Sequence, residues 1–316
     1  MAATENVGKS PSGLLLLSAA PHVHCGLTVN KIVLTTLLSL LPAVLFAVYL
    51  YGFEAVRIIV VCMGVAVGTE ALIQKLRNKP ITVSDGTAAL TGLILAFTLS
   101  PALPTWMAVI GAFVAIALGK HAFGGLGANP FNPALVGKVF LVTSFFSPMT
   151  KWISPVNSQP VSSPLEMWAA KQQVPGYQEL LLGNFGGFLG EAVVLPLIFG
   201  GIALVVLGYV DWRMPAAFLG TVFTLTNFLG QDPVWHLLAG GLVFAAFYLA
   251  GDPVTTPYTK KGRWAFGIGA GIILVVIRQW GGYPEGVAYA ILLMNGLTPL
   301  INKYLRPKRS GVTRHA

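Results

Sequence analysis

Asn129 and Asn132, each followed by proline, stand within Phe123–Phe140, which reads F-G-G-L-G-A-N-P-F-N-P-A-L-V-G-K-V-F. An asparagine amide presents donors and an acceptor on one planar edge. Two such amides spaced three apart suit the N–C=O edge of an isoalloxazine ring or a urea-like solute. A helix starting here would also favour partial negative charge at its N-terminus. The competing role is structural, because asparagine is a preferred N-cap residue. Two other polar runs share this character, Ser84-Asp85-Gly86-Thr87 and Asp252-Pro253-Val254-Thr255-Thr256. Lys138 and Arg278 fall inside or at the edge of apolar segments. A cation near a bilayer centre costs about 2.5–3.5 kcal/mol and faces a cavity or a partner. For Lys138 two roles are open: an ion pair with Asp85, Glu191 or Glu285, or stabilisation of an anionic cofactor.

Other chemistries are poorly served. His22 and His24 form an H-x-H pair that no nearby carboxylate or cysteine set completes, so no metal site is expected. His121 and His236 fall at opposite ends of their spans, which disfavours a shared haem. Cys25 and Cys62 are too few for an iron–sulfur cluster, which needs about four ligands. Gly125–Pro130 departs from G-x-G-x-x-G at its last position and follows no strand. No catalytic residue is assigned.

The elements that must position these residues are membrane helices. The 316 residues are 55% hydrophobic and 10% charged, whereas soluble domains carry about 25% charged residues. The net charge of +9 sits beside apolar segments, where it orients a membrane protein and implies no nucleic-acid partner. Apolar runs long enough to cross a bilayer fall at about 32–52 and 54–72, twice within 86–119, and at 130–146. Five more fall at about 188–210, 214–230, 233–250, 264–279 and 285–302. Glycine and proline inside such runs break regular backbone, and in lipid a break survives only where protein buries it or it lines a cavity.

The expected fold is therefore an all-α integral membrane protein of about ten transmembrane helices, arranged as two inverted five-helix repeats with broken helices. A segment 1–31 precedes the first repeat, 32–146, and an extracytoplasmic loop, 147–187, separates it from the second, 188–302. A basic tail, 303–316, ends the chain. The repeat is visible as Ala96–Ser100 followed by a span and Phe123-Gly124-Gly125, echoed by Ala246–Ala250 followed by a span and Trp280-Gly281-Gly282. Five spans per half make the halves cross in opposite senses. The basic patches at 75–79, 260–263 and 303–314 place both termini in the cytoplasm of a multi-pass protein. Asp85–Thr87, Asn129–Asn132 and Asp252–Thr256 then share the inner side, and Ser158–Glu166 and Tyr283–Gly286 the outer.

Ser84–Thr91, Gly124–Phe140, Asp252–Thr255 and Pro284–Asn295 together give the chain its likeness to a known family. It resembles RnfD, a membrane component of the Rnf ion-translocating ferredoxin:NAD oxidoreductases, and a related component of the sodium-pumping NADH:quinone reductases, NqrB. The resemblance covers nearly the whole chain, with the motifs in the family's order. It implies a flavoprotein in a prokaryotic inner membrane, surrounded by lipid and the other Rnf-type subunits. Such a component relays electrons while the complex moves Na⁺ or H⁺. It also implies two flavins, an FMN attached through phosphate to a threonine of the outer loop and a riboflavin near the Asn-Pro-Phe-Asn-Pro region. By this likeness Asn129, Asn132, Asp85, Thr87, Asp252, Thr255 and Thr256 belong to the inner flavin site, with Lys138 a cofactor-stabilising cation. Ser163 and Glu285 belong to the outer site.

The sequence departs from the family at the attachment motif. Where Ser/Thr-Gly-Ala-Thr is expected it reads Pro160-Val161-Ser162-Ser163-Pro164-Leu165, keeping Pro-Leu and a hydroxyl but not Gly-Ala. The stiffer, β-branched Val161 disfavours entry into a transferase. Covalent FMN on Ser163 is accordingly not expected. FMN is either bound without a covalent bond or absent. A urea- or ammonium-type solute channel without a redox cofactor is the alternative that a five-plus-five repeat allows.

Overall fold

The computed structural model describes residues 28–155 and 159–306. The expectations that fall on His22, His24, Cys25, Ser158, most of the 1–31 segment and the tail beyond Arg306 lie outside these residues.

The chain enters its first helix through Thr28, whose hydroxyl accepts from the Lys31 amide at 3.3 Å, giving α1 (Val29–Tyr51). Gly52, at φ 57°, allows the reversal directly into α2 (Phe53–Leu76). Both are long and apolar enough to cross a membrane. Leu34, Leu38, Leu41 and Leu45 of α1 are exposed along one face, while Leu40, Ala43 and Ala47 are buried on the other. A helix apolar on all sides suits lipid rather than water.

The next elements are α3 (Thr87–Phe97) and α4 (Thr105–Ile116), the latter closing in a π turn at Ala117–His121. Then comes α5 (Pro133–Ser144). The stretch between α4 and α5 is irregular, as its glycines and prolines lead one to expect, with Gly124, Gly125 and Gly127 at positive φ. The segment between the two halves is short structure throughout. It comprises α6 (Phe146–Met149), the antiparallel pair β1 (Trp152–Ile153) and β2 (Pro160–Val161), α7 (Pro164–Ala169) and α8 (Tyr177–Leu182). Leu165, Leu180 and Phe185 anchor it by packing with Trp235 and Ala239.

The second half holds α9 (Leu189–Ala192), α10 (Val194–Val206), α11 (Arg213–Phe228), α12 (Pro233–Leu238), α13 (Leu242–Phe244) with a π turn at Ala245–Leu249, α14 (Lys260–Trp280) and α15 (Val287–Tyr304). Two expected single spans are broken. The 188–210 run is interrupted at Val193, and the 233–250 run at Ala239–Gly241. The second break is held open by a tertiary bond: the Gly240 N–H donates to Glu191 Oε1 at 2.6 Å. Gly240 and Gly241 supply positive φ there.

Packing follows one pattern in each half. In the first, α2 lies against α3 and α4, and α4 against α5; in the second, α11 lies against α12 and α14, and α14 against α15. The halves join through α1 on α10 and α5 on α15. Small residues permit the closest approaches. A Cβ on Gly137 of α5 would meet the Gly111 carbonyl of α4 at 2.6 Å.

Candidate functional site

Asn132 caps α5, its Oδ1 accepting from the amides of Ala134 at 3.1 Å and Leu135 at 3.4 Å. Pro133 fills the first helical position, where no N–H is needed. Asn132 also reaches the other half. Its backbone N–H donates to Asn295 Oδ1 at 3.2 Å, and its Nδ2 approaches the Leu249 carbonyl at 3.5 Å. The cap role raised for both asparagines therefore applies to Asn132. Asn129 is different: its Nδ2 donates to the Phe131 carbonyl at 3.2 Å, but its buried Oδ1 has no partner.

The Asp252 loop faces this point from the second half. Asp252 accepts from the Val254 amide at 3.2 Å and the Thr255 hydroxyl at 3.0 Å, while the Thr256 hydroxyl donates to the Asp252 carbonyl at 2.7 Å. Asn295 Nδ2 and the Thr298 hydroxyl both donate to the Thr255 carbonyl, at 3.2 and 3.1 Å.

The third wall starts at α3. Asp85 Oδ1 accepts from both the amide and the hydroxyl of Thr87, at 2.8 and 2.7 Å. Thr87 Oγ1 in turn accepts from Lys120 Nζ at 2.7 Å, and the same ammonium grips both oxygens of Glu70 at 2.7 and 2.8 Å. With three donors and three acceptors, Lys120 is fully satisfied. Glu70, Lys120 and Asn295 were not anticipated as site residues. The available signal was an acid inside the 54–72 run, a lysine directly after the 86–119 run and an asparagine well inside the last one.

Thr87, Lys120, Asn129, Asn132 and Asp252 line one cavity of about 440 Å³. Its other walls are chiefly apolar, including Ile32 and Val33 of α1, Leu90 and Ile94 of α3, and Phe247 and Tyr248. This is the size and lining of a cofactor pocket, about 300–1,000 Å³ with few convergent polar groups. Asp85, Thr255 and Thr256 stand behind it as the residues that fix Thr87 and Asp252. Tyr209 and Val210 close one side from the α10–α11 loop, where Asp211 binds Arg213 at 3.1 Å and Arg263. Burial raises the Asp211 carboxyl. The Arg213 amide and the Arg263 and Arg213 guanidiniums outweigh that effect and hold it below its ordinary value.

Lys138, Ser163 and Glu285 gather elsewhere. Lys138 does not line the cavity, and its Nζ sits 4.3 Å from the Phe188 ring centroid. No carboxylate lies within ion-pair distance of it among the described residues, so of the two roles left open the contact pair with Asp85, Glu191 or Glu285 is not formed. The buried Ser163 hydroxyl is the N-cap of α7. It accepts from the Glu166 amide at 3.3 Å while Glu166 Oε2 accepts from the Ser163 amide at 2.9 Å. Glu285 Oε2 accepts from Tyr283 at 2.9 Å.

Residues 16–311 match the NQR2, RnfD, RnfE family. The chain is 41% identical to the D subunit of the proton-translocating ferredoxin:NAD(+) oxidoreductase complex of Clostridium ljungdahlii, over 95% of this chain and 97% of that one. It is 39% identical to the Na(+)-translocating counterpart of Acetobacterium woodii, over 95% and 96%. With the D subunit of the ion-translocating oxidoreductase complex of Mannheimia succiniciproducens it shares 36%, over 93% and 97%.

Proposed function

The chain belongs to the NQR2, RnfD, RnfE family, and on that premise we propose that it carries electrons through a membrane-bound, ion-translocating ferredoxin:NAD oxidoreductase complex. It acts as one subunit of that translocase, with other Rnf-type subunits as partners and lipid around it. The channel alternative finds no support in a family whose members are named as oxidoreductase subunits.

The electron-carrying group is riboflavin, held without a covalent bond in the cavity of Asn129, Asn132, Thr87 and Asp252. The observation that carries this reading is a chiefly apolar space of about 440 Å³ lined by Asn129, a residue whose buried Oδ1 has no partner. A buried acceptor left without a donor costs about 1–3 kcal/mol, which the N3–H of an isoalloxazine would offset. The apolar lining, which includes Ile94, Phe247 and Tyr248, suits the rings. The absence of phosphate follows from charge. Among the described residues Lys120 is the one Lys or Arg lining the cavity, and Glu70 and Thr87 occupy all its donors, while Asp252 adds an acid. Bound riboflavin supplies one-electron chemistry. The chain's residues bind its polar edge, orient it through the Asn132–Asn295–Thr255 links and keep water from it with the apolar walls.

Ser163 is a helix cap in this reading, not an FMN acceptor. Its hydroxyl is fully buried, and among the described residues the neighbouring 330 Å³ cavity of the outer segment is lined by Glu179 and by no lysine or arginine that would take a phosphate. The residues present do not fit FMN.

The fold reading is ten membrane elements in two inverted five-helix repeats, in a prokaryotic inner membrane with both termini cytoplasmic. Its support is the matching pattern of contacts in the two halves and the pairing of α1 with α10 and α5 with α15. Exposed aromatics add to it: Tyr49, Trp106 and Trp280 fall at ends assigned to the outer interface, and Trp212, Trp264 and Tyr304 at the inner one.

Acid precipitation of the purified protein tests the cofactor reading. Riboflavin in the supernatant and an unmodified intact mass support it. Flavin retained on the polypeptide, or FMN alone released, would refute it.

A further inference from the structure

A second buried polar cluster lies outside the cavity and has no part in holding a flavin. Glu191 at the start of the second half is 0% exposed and Glu285 before α15 is 2% exposed. Glu191 Oε1 accepts from the Gly240 amide and Glu285 Oε2 from Tyr283, but Glu191 Oε2 and Glu285 Oε1 have no partner. Two cations are near. Lys138 attracts both carboxylates yet lies within ion-pair distance of neither, resting instead over Phe188. Arg278, 3% exposed, gives its Nη atoms to the carbonyls of His236 and Ala239, at 2.7 and 2.9 Å, and its Nε is unpartnered.

The contrast with Glu70 is instructive. That acid is equally buried, and one ammonium binds both of its oxygens. Buried charges persist when paired and hydrogen-bonded, and otherwise neutralise. Glu191 and Glu285 repel each other and lack contact ion pairs, so they cannot both stay ionised and unoccupied at low cost.

We propose that Glu191 and Glu285 form an exchangeable proton site, one carboxyl of the pair carrying a proton and the orphaned oxygens giving it two places to sit. No electron moves in this step. An O–H bond forms on one carboxylate as a proton arrives from water and breaks as the proton returns to water. A proton answers the cost directly, because a protonated carboxyl is neutral and spares the cluster a buried, unpaired charge. The groups facing the pair are Tyr51 from α1, Lys138 from α5, Arg278 from α14, Tyr283 beside Glu285, and Ser163 and Glu166 from the outer segment. The inference is independent of the flavin reading, since none of these residues lines the riboflavin cavity.

Infrared spectroscopy of the purified full-length protein in lipid nanodiscs tests it, with no flavin or turnover required. The wild type should show a protonated-carboxyl C=O stretch near neutral pH that shifts down in D₂O. The Glu191→Gln/Glu285→Gln double variant should lose that band, and each single variant should reduce or displace it. Glu54→Gln, at an exposed ion-paired position, should leave it intact. A wild type with no such band, or a band that survives the double variant, overturns the proposal. So does a band abolished by sodium chloride but not by choline chloride, which would make an alkali cation the occupant. If the double variant does not fold, the wild-type spectrum and the single variants still decide the matter.

Discussion

The Asn132 N–H donates to Asn295 Oδ1 at 3.2 Å, linking the first turn of α5 to the middle of α15 across 163 positions of sequence. Asn295 then passes the connection on through its Nδ2 to the Thr255 carbonyl. One amide thus fixes the α5 N-terminus and the Asp252 loop, the two sides of the cavity that come from different halves. Asn295→Leu leaves the buried Asn132 N–H without a partner, at about 1–3 kcal/mol, and leaves the Thr255 carbonyl with only its bond from Thr298. Thermal unfolding in detergent should fall, and flavin should be lost together with the stability.

Asn129→Leu should separate the two effects. Its Oδ1 has no protein partner, so the loss to the empty fold is confined to one bond from Nδ2 to Phe131. Flavin affinity should fall about tenfold or more, equivalent to about 1.4 kcal/mol, while the unfolding midpoint of the flavin-free protein changes little. Fluorescence titration with riboflavin measures the first and calorimetry the second.

The Lys120–Glu70 pair should behave as a unit. Removing one partner leaves an uncompensated buried charge, which costs about 3–5 kcal/mol, whereas removing both together costs far less. Lys120→Met and Glu70→Leu should each destabilise strongly, with the double variant recovering most of the loss in a double-mutant cycle.

Ser163→Ala removes the cap of α7 and should cost about 1 kcal/mol. The intact mass should then differ from that of the wild type by the single oxygen atom, and flavin content should be unchanged. Loss of a flavin mass on this substitution would return Ser163 to the role of acceptor.

Asp211 makes stability depend on acid pH. Its folded carboxyl lies below the ordinary value of 3.8 because the Arg213 amide and the Arg263 and Arg213 guanidiniums outweigh its burial. A depressed acid contributes stability that is fully present above the unfolded value and is lost as pH falls through the folded one. Asp211→Asn should therefore cost about 0.5–1 kcal/mol near neutral pH, a modest figure because the pair is partly solvated. Thermal denaturation of wild type and variant should converge as the pH drops below about 4.

What the sequence made legible were residues whose signal is local. The Gly, Pro and Asn spacing in 123–133 marked both the irregular backbone and the two asparagines, and Thr87 and Asp252 each stand in a short polar run between apolar segments. The structure brings these four to one cavity. The features that were missed depend on distant partners. Nothing near Gly240 reveals that Glu191, 49 positions away, will hold a broken helix there. Glu70 and Lys120 are 50 positions apart, so their pairing has no local mark. For Lys138 a carboxylate partner and a cofactor were both open, and the aromatic face of Phe188 that receives it is set by tertiary packing.

The central claim is that the cavity between the halves holds riboflavin, and an electron cryo-microscopy map of the purified complex tests it most directly. The account requires three-ring density without a phosphate in the space bounded by Thr87, Asn129, Asn132 and Asp252, with its polar edge toward Asn129. A cavity containing only water or lipid, with flavin density elsewhere in the chain or bonded to Ser163, would contradict it.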